Sequence, residues 1–335
     1  MLADIINSQC KQEQIKLIIV NSGINGSLLD SISSTVEVVC LNRRPGSVNP
    51  VPLIRLNWEI RRFKPNVIHC HNRNLVGGIW NRYFRRKSVL TIHNMGGSLK
   101  GIRKFGKCFA ISEAVRKDVY NRSRLEIEAV YNGIRCADIV TRDKLVEVQA
   151  DSLPVRVIQV SRLEHELKGQ HLALLALKKL FDKGFASIEL DLIGTGSSDG
   201  YLKDLARDLG IRDNVHFLGM KSRDYIYKHL HEYDLLIQPS LNEGFGLTIA
   251  EAMAAKIPVL VSDIEGPMEL IGNGDYGDYF ESGSMEDLAR KLFDFLNLRG
   301  SKLLEERVER AYAFCRAHFD ISVTAAAYID RYKTV

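Results

Sequence analysis

No run of apolar residues in this chain approaches the roughly 18 that suggest a membrane span; LIIV and IPVLV each stop within a few positions. The opening MLADIINSQCKQEQ has no basic stretch ahead of an apolar one, so it does not read as a secretory leader. Cysteine is sparse, at positions 10, 40, 70, 108, 136 and 315, and never occurs as C-x-x-C. That spacing reads as reduced thiols, not a disulfide or zinc framework. No loop carries a D-x-D; the nearest pattern, Glu189 and Asp191 in IELDLIG, falls inside an apolar strand. No G-x-G-x-x-G follows a first strand with an acidic residue about 20 positions on, which removes the dinucleotide signature of a nicotinamide-dependent oxidoreductase. Low-complexity segments and short-period repeats are lacking as well.

What is present is an ordinary globular composition, 45% hydrophobic and 26% charged over 335 residues. That length exceeds what one core usually supports, so two domains are expected. The net charge of +5 conceals an asymmetry. Residues 1–150 carry 24 Lys and Arg against 12 Asp and Glu, a net of +12, which leaves −7 for the remainder. Basic clusters at Arg43-Arg44, Arg61-Arg62-Lys64, Arg82-Arg85-Arg86-Lys87 and Lys100-Arg103-Lys104-Lys107 are either solvated helix faces or a surface that meets anions. No nucleic-acid module accompanies them, so an anionic membrane or a pyrophosphate-bearing acceptor is the expected partner, and nucleic acid is not.

Short β-branched runs alternate with amphipathic stretches along the whole chain. Strands are expected at 15–20, 36–40, 66–70, 88–92, 108–111 and 128–132. A second series follows at 155–160, 188–194, 214–219, 234–239 and 257–262. Helical patterns at 52–64, 73–84 and 112–122 intervene, and the tail from about 301 reads as helix. Strands interleaved with helices imply parallel sheets covered on both faces. The expected fold class is therefore α/β, with two doubly wound Rossmann-like domains facing a cleft. Periodicity lapses near 136–153, which sets the expected domains at 1–150, 151–315 and a C-terminal helix at 316–335 packing back on the first domain.

Doubly wound sheets bind ligands at the carboxyl ends of their strands, and four stretches stand there. In VSRLEHELKG, Arg162 and Lys168 flank one loop; two cations suit a diphosphate, and equally a solvated loop. Gly194 and Gly196 in IGTGS mark a tight turn or a close backbone approach. Met220 and Lys221 in FLGMKSRD follow a strand and could present backbone groups to a base. The fourth stretch, NEGFGLTIAEAMAAKIPVLVSD at 242–263, holds Glu243 and Glu251 with seven residues between them. Gly244 and Gly246 free the backbone to aim N–H groups at one point beside a positive helix end, where phosphate belongs. Carboxylates repel phosphate but accept hydroxyl donors, so the two glutamates are expected to face the sugars at the two ends of a nucleotide sugar.

This E-x7-E element, preceded by VSRL…KG at the matching distance, resembles the retaining glycosyltransferases of family 4, which have the glycosyltransferase-B fold. YNGI at 131–134, ISEAVRKDV at 111–119 and GSMEDLARKL at 283–292 are similar to other signatures of that family. The likeness runs over nearly all of the chain and is strongest from 155 to 290. It implies that Arg162, Lys168 and the amides of Gly244, Phe245, Gly246, Leu247 and Thr248 hold the donor diphosphate. It implies that Glu243 contacts the hexose, Glu251 the ribose, and Gly194, Gly196, Met220 and Lys221 a nucleotide loop. His93 in TIHNM matches a position where the family often places a His or Asp near the reacting sugar; alone it is as readily a packed or capping residue. His69 and His71 could be a metal pair, but without a third ligand strand-end packing is the better reading.

The resemblance further implies front-face transfer with retention and no metal or cofactor, the nucleotide sugar being a substrate. The expected donor is UDP-linked. The expected acceptor is a glycan or lipid-linked, in bacterial surface polysaccharide synthesis, and the expected location is cytoplasmic or peripheral on the inner membrane face. Rival readings are a UDP-sugar 2-epimerase-like enzyme on the same fold, an NAD-dependent oxidoreductase and a non-catalytic nucleotide-sugar sensor. One departure stands out. Family members open with a strand and a glycine-rich loop, whereas this chain opens with a helical pattern, apolar at 1, 2, 5 and 6. The expectation is that an upstream strand is missing and that the 335-residue form is poorly stable.

Overall fold

The computed structural model describes residues 1–23, 26–143, 154–185 and 187–335. The chain forms two compact units, Met1–Ile134 with Asp320–Val335, and Arg135–Phe319.

The first unit contains parallel strands β1 (Lys16–Asn21), β2 (Glu37–Arg43), β3 (Ile68–Cys70), β4 (Ser88–Ile92), β5 (Lys107–Ala110) and β6 (Glu128–Ala129). β1 pairs only with β2, while β3, β4, β5 and β6 form a separate four-stranded sheet in that order. Among the described residues no strand pairs with the other edge of β1 or of β3. Leu17, Ile18 and Ile19 are accordingly only half-buried, although Val89 and Leu90 of β4 are fully enclosed. The buried ammonium of Lys16 ties β1 to the helix Val51–Phe63 through Glu59 at 2.6 Å, and also meets Glu37 at 2.9 Å. Those hydrogen bonds, to Glu37 first and then Glu59, raise its pKa.

The helix Val51–Phe63 ends where Lys64 turns left-handed (φ 51°) ahead of Pro65, which cannot continue a helix. One helix was expected over 73–84; the chain instead makes a 3-10 turn at Arg73–Gly78 and a short helix at Arg82–Arg86. Asn72 and Asn81 each accept a backbone N–H to start these pieces, and Gly77-Gly78 breaks the register between them. The helix Leu2–Gln9 packs against the last helix, Ile321–Tyr332, over a core of Ile5, Val89, Phe109, Val130 and Tyr328.

YNGI is where that last helix seats. Ile321 donates its N–H to the Ile134 carbonyl (2.8 Å) and Thr324 its hydroxyl to the Tyr131 carbonyl (2.9 Å). A Cβ on Gly133 would lie 2.4 Å from Thr324 Oγ1, so only glycine permits this approach. The change-over between units falls at Ile134–Arg135, not near 150, and at Phe319–Asp320, not 316. Residues past 134 lose their periodicity because they run along the second unit: Val140 bonds Tyr227 and Arg142 bonds Ala255, Tyr233 and Asp234. Residues 144–150 of the expected first domain lie outside the described residues.

The second unit carries β7 (Val155–Val160), β8 (Ile188–Ile193), β9 (Val215–Gly219), β10 (Leu235–Gln238), β11 (Val259–Ser262) and β12 (Asp278–Phe280). All run parallel in the order β9-β8-β7-β10-β11-β12. Leu192, Leu235, Leu236 and Val261 are wholly buried, as strands covered on both faces require. β12 escapes sequence reading because it is three residues long and begins with a charge, Asp278, held by Arg307 at 2.6 Å. Among the described residues no helix is long and apolar enough to cross a membrane.

Candidate functional site at the strand-order reversal

Successive strands of the second unit build outward from β7 in one direction and then, from β10, in the other. Chains leaving β7 and β10 therefore diverge, and a crevice opens at their carboxyl ends. The loop after β7 carries Arg162 and Lys168; the loop after β10 carries Glu243. Their backbones are stitched together: Leu241 and Asn242 both donate to the Leu167 carbonyl, at 2.9 and 3.3 Å. Gly169 is left-handed (φ 65°) and a Cβ there would come within 1.8 Å of the Pro239 carbonyl. The result is an ion pair between residues 75 positions apart, Lys168 Nζ to Glu243 Oε2 at 2.7 Å, with both side chains mostly enclosed.

Arg162 is placed differently. Its guanidinium is largely exposed and bonds Glu164 at 2.9 Å, so it stands beside the pair without joining it. Gln170 donates to Ser161 and to the Arg162 carbonyl (2.9 and 2.7 Å), and Gln159 donates to the Lys168 carbonyl (2.8 Å). These two buried glutamines fix the loop that presents both cations, and motif reading passed over them. For Gln159 the available signal was the amide itself, a polar residue inside the apolar strand VRVIQV.

Gly194 and Gly196 are clearance residues for the same loop. Cβ atoms would lie 1.9 Å from the Ser161 carbonyl and 2.3 Å from that of Leu163. Ser161 and Leu163 in turn donate to the carbonyls of Ile193 and Thr195, closing the two turns on one another. Met220 is well exposed, and the Lys221 ammonium lies 5.1 Å from the Tyr225 ring.

Glycines also shape the stretch from 242 to 254. Gly246 is left-handed (φ 95°) and starts the helix Leu247–Ala254, whose N-terminus has no side-chain cap. Gly266 lets a neighbouring turn pass the Glu243 carbonyl, where a Cβ would sit 2.4 Å away. Phe245 is buried edge-on to Phe319 (5.5 Å) and pins the loop. Glu251 is buried between Ala250, Ala252 and Met253. Burial first, and then the nearby Glu251 charge, push the Tyr227 phenol up to about 12.

In the first unit, strand ends gather three imidazoles. His71 Nδ1 lies 3.0 Å from His93 Nε2, and the His69 ring stacks on His71 at 4.3 Å. His69 bonds the Tyr332 hydroxyl (2.5 Å) and Thr91 (2.7 Å) through its two nitrogens. Burial lowers all three pKa values; His71 falls to about 4, helped by the charge of His93. All three are thus neutral near pH 7, with the His69 and His71 rings packed face to face at the strand ends. Among the described residues no group of three His, Cys, Asp or Glu side chains could hold a metal.

Comparison with known proteins places the chain in a family. Residues 143–314, just over half of the chain, match the model of the family described as glycosyl transferases group 1. An uncharacterized glycosyltransferase of Methanocaldococcus jannaschii, MJ1607, is 28% identical over 239 residues, covering 62% of this chain and 60% of that protein. The amylovoran biosynthesis glycosyltransferase AmsK of Erwinia amylovora is 33% identical over 142 residues, 41% of this chain and 34% of its own. The chain thus spans less than two thirds of the curated relatives it matches. The solved structure of Anabaena Alr3699/HepE in complex with UDP superposes with a TM-score of 0.80 at 20% identity, over 100% of this chain and 96% of that one. The fold is the glycosyltransferase-B fold, α/β with two Rossmann-like units. The chain belongs to the glycosyl transferases group 1 family.

Proposed function

We propose that the chain transfers a hexosyl or N-acetylhexosaminyl group from a UDP-sugar to a glycan or lipid-linked acceptor in surface polysaccharide synthesis. The observation that carries this reading is the Lys168–Glu243 pair, a cation and a carboxylate 2.7 Å apart where the strand order reverses. A nucleotide sugar needs both chemistries side by side: positive charge for the diphosphate and a carboxylate for hexose hydroxyls. Arg162 extends the positive side. The N–H groups of Leu247 and Thr248, at a helix end free of any side-chain cap, add a positive dipole.

In the reaction the bond between anomeric carbon and phosphate oxygen breaks and negative charge builds on the departing diphosphate. Lys168, Arg162 and the helix end stabilise that charge without a metal ion. The acceptor hydroxyl attacks from the face the phosphate leaves, giving retention, and its proton passes to the leaving oxygen. Glu251 accepts the ribose hydroxyls. His93, uncharged near neutral pH, can donate to or accept from a sugar hydroxyl. The enzyme works in the cytoplasm against the inner face of the membrane. A screen of UDP- and GDP-sugars for slow donor hydrolysis, followed by NMR of the product's anomeric proton, tests the reading. Hydrolysis of a UDP-hexose and a product that keeps the donor's configuration are expected; an inverted product, or no nucleotide sugar consumed, overturns it.

A further inference from the structure

The chain has two tryptophans, Trp58 and Trp80, and both are 53% exposed in the first unit. Large aromatics normally bury their area, and two left in solvent on one unit call for a partner. On the helix Val51–Phe63 the buried side is Leu56, Glu59 and Ile60. A 100° step per residue then sets Val51, Ile54 and Trp58 along the opposite side, with Arg61 and Arg62 flanking them. Val51 is 60% exposed and Ile54 51%, so this is an apolar stripe turned to water.

Trp80 is tethered to the flank of the same helix. Asn57, on the flank of the helix beside Ile54 and Arg61, donates to the Gly78 carbonyl (2.8 Å) and accepts the Trp80 N–H (2.9 Å). One amide thereby fastens the 78–80 turn to the helix. Tyr83 follows one turn later at 58% exposure. Cations border the rings: the Arg62 guanidinium lies 5.3 Å from Trp58 and the Lys87 ammonium 4.9 Å from Tyr83. Between Glu37 and Glu113 the single acidic residue is Glu59, which is buried against Lys16. Arg61, Arg62, Arg82 and Arg86 therefore face solvent with no carboxylate from their own stretch of chain to neutralise them.

We propose that this face, centred on Trp58 and Trp80, docks on an anionic lipid bilayer. Indole and phenol rings favour the headgroup level, aliphatic side chains reach just below it, and arginines meet lipid phosphate. A protein partner with a matching apolar patch would be expected to bring counter-charges, and nucleic acid would not select Ile54 and Val51. This refines the membrane location given under Proposed function to one surface. The measurement needs neither donor nor acceptor, so it can fail while sugar transfer stands.

Because both tryptophans lie in the face, the unmodified protein carries its own reporter. The 335-residue protein is mixed with vesicles of phosphatidylcholine alone or with 3:7 phosphatidylglycerol, read by emission spectrum and by sedimentation. A blue shift with the anionic vesicles, and quenching by lipids brominated high on the acyl chain, are expected. The double variant W58S/W80S, at exposed sites, should stay folded by circular dichroism and lose most sedimentation. R61Q/R62Q should weaken partition about thirty-fold at low salt and much less at high salt. Unshifted emission with anionic vesicles, or sedimentation unchanged in W58S/W80S, overturns the proposal. So does binding to RNA or another soluble polyanion with no response to vesicles.

Discussion

The three neutral histidines make the first unit acid-sensitive in a way that can be worked through for His71. Its folded pKa is about 4 against an ordinary 6.5, so the folded state resists the proton that the unfolded chain accepts. The sign follows: the contribution to stability is whole above about pH 6.5 and drains away as pH falls toward about 4. Each pH unit of that gap is worth about 1.4 kcal/mol, so His71 alone accounts for about 3 kcal/mol, of which about 2 is gone by pH 5. His69 and His93, also lowered, act in the same direction. Carboxylate linkage, as at Glu128 with its lowered pKa, sets in mainly below the ordinary carboxylate range. Urea unfolding at pH 7.5 and pH 5.0, followed by tryptophan fluorescence, reports on the unit that holds the histidines, since Trp58 and Trp80 lie there too. In His71→Gln, whose amide keeps a hydrogen bond to His93 but does not titrate, the acid loss should shrink by about 2 kcal/mol. An equal loss in variant and parent, or a His71 ring signal that titrates near 6.5 by NMR, would refute the reasoning.

Three further outcomes are expected. Glu251→Ala should weaken UDP binding in calorimetry, while Glu243→Ala should spare it and cut turnover; equal loss of UDP affinity in both contradicts the division between ribose and hexose. Transfer should persist in excess EDTA because Arg162 and Lys168 carry the charge; abolition with rescue by manganese would show that an ion is needed. Gly133→Ala forces a Cβ to within 2.8 Å of the Ile321 Cα and against Thr324, and should cost about 1–3 kcal/mol of the fluorescence-detected transition. An unchanged Tm would mean the last helix does not depend on that approach.

Much of this was legible in the sequence because it is local. Alternation of β-branched runs with amphipathic stretches located eleven strands to within a few residues, and the spacing of Glu243 and Glu251 marked the loop and helix they occupy. Where local signals conflict, reading failed: 73–84 has helical periodicity, yet Gly77-Gly78 and the Asn81 cap divide it. The lapse after 134 looked like a linker but is a segment whose partners, Tyr227 and Asp234, lie about 90 residues away. Tertiary structure alone decided what depends on strand order. The reversal between β7 and β10 sets Lys168 against Glu243 across 75 residues, and the adjacency of β3 and β4 sets His71 against His93 across 22. It also gave Gly194 and Gly196 their role as clearance for a loop 33 residues earlier, and left both tryptophans half in solvent. Hydrophobic period records which face of an element is covered, but not which element covers it. That choice is made by non-local packing, and the site is built from it.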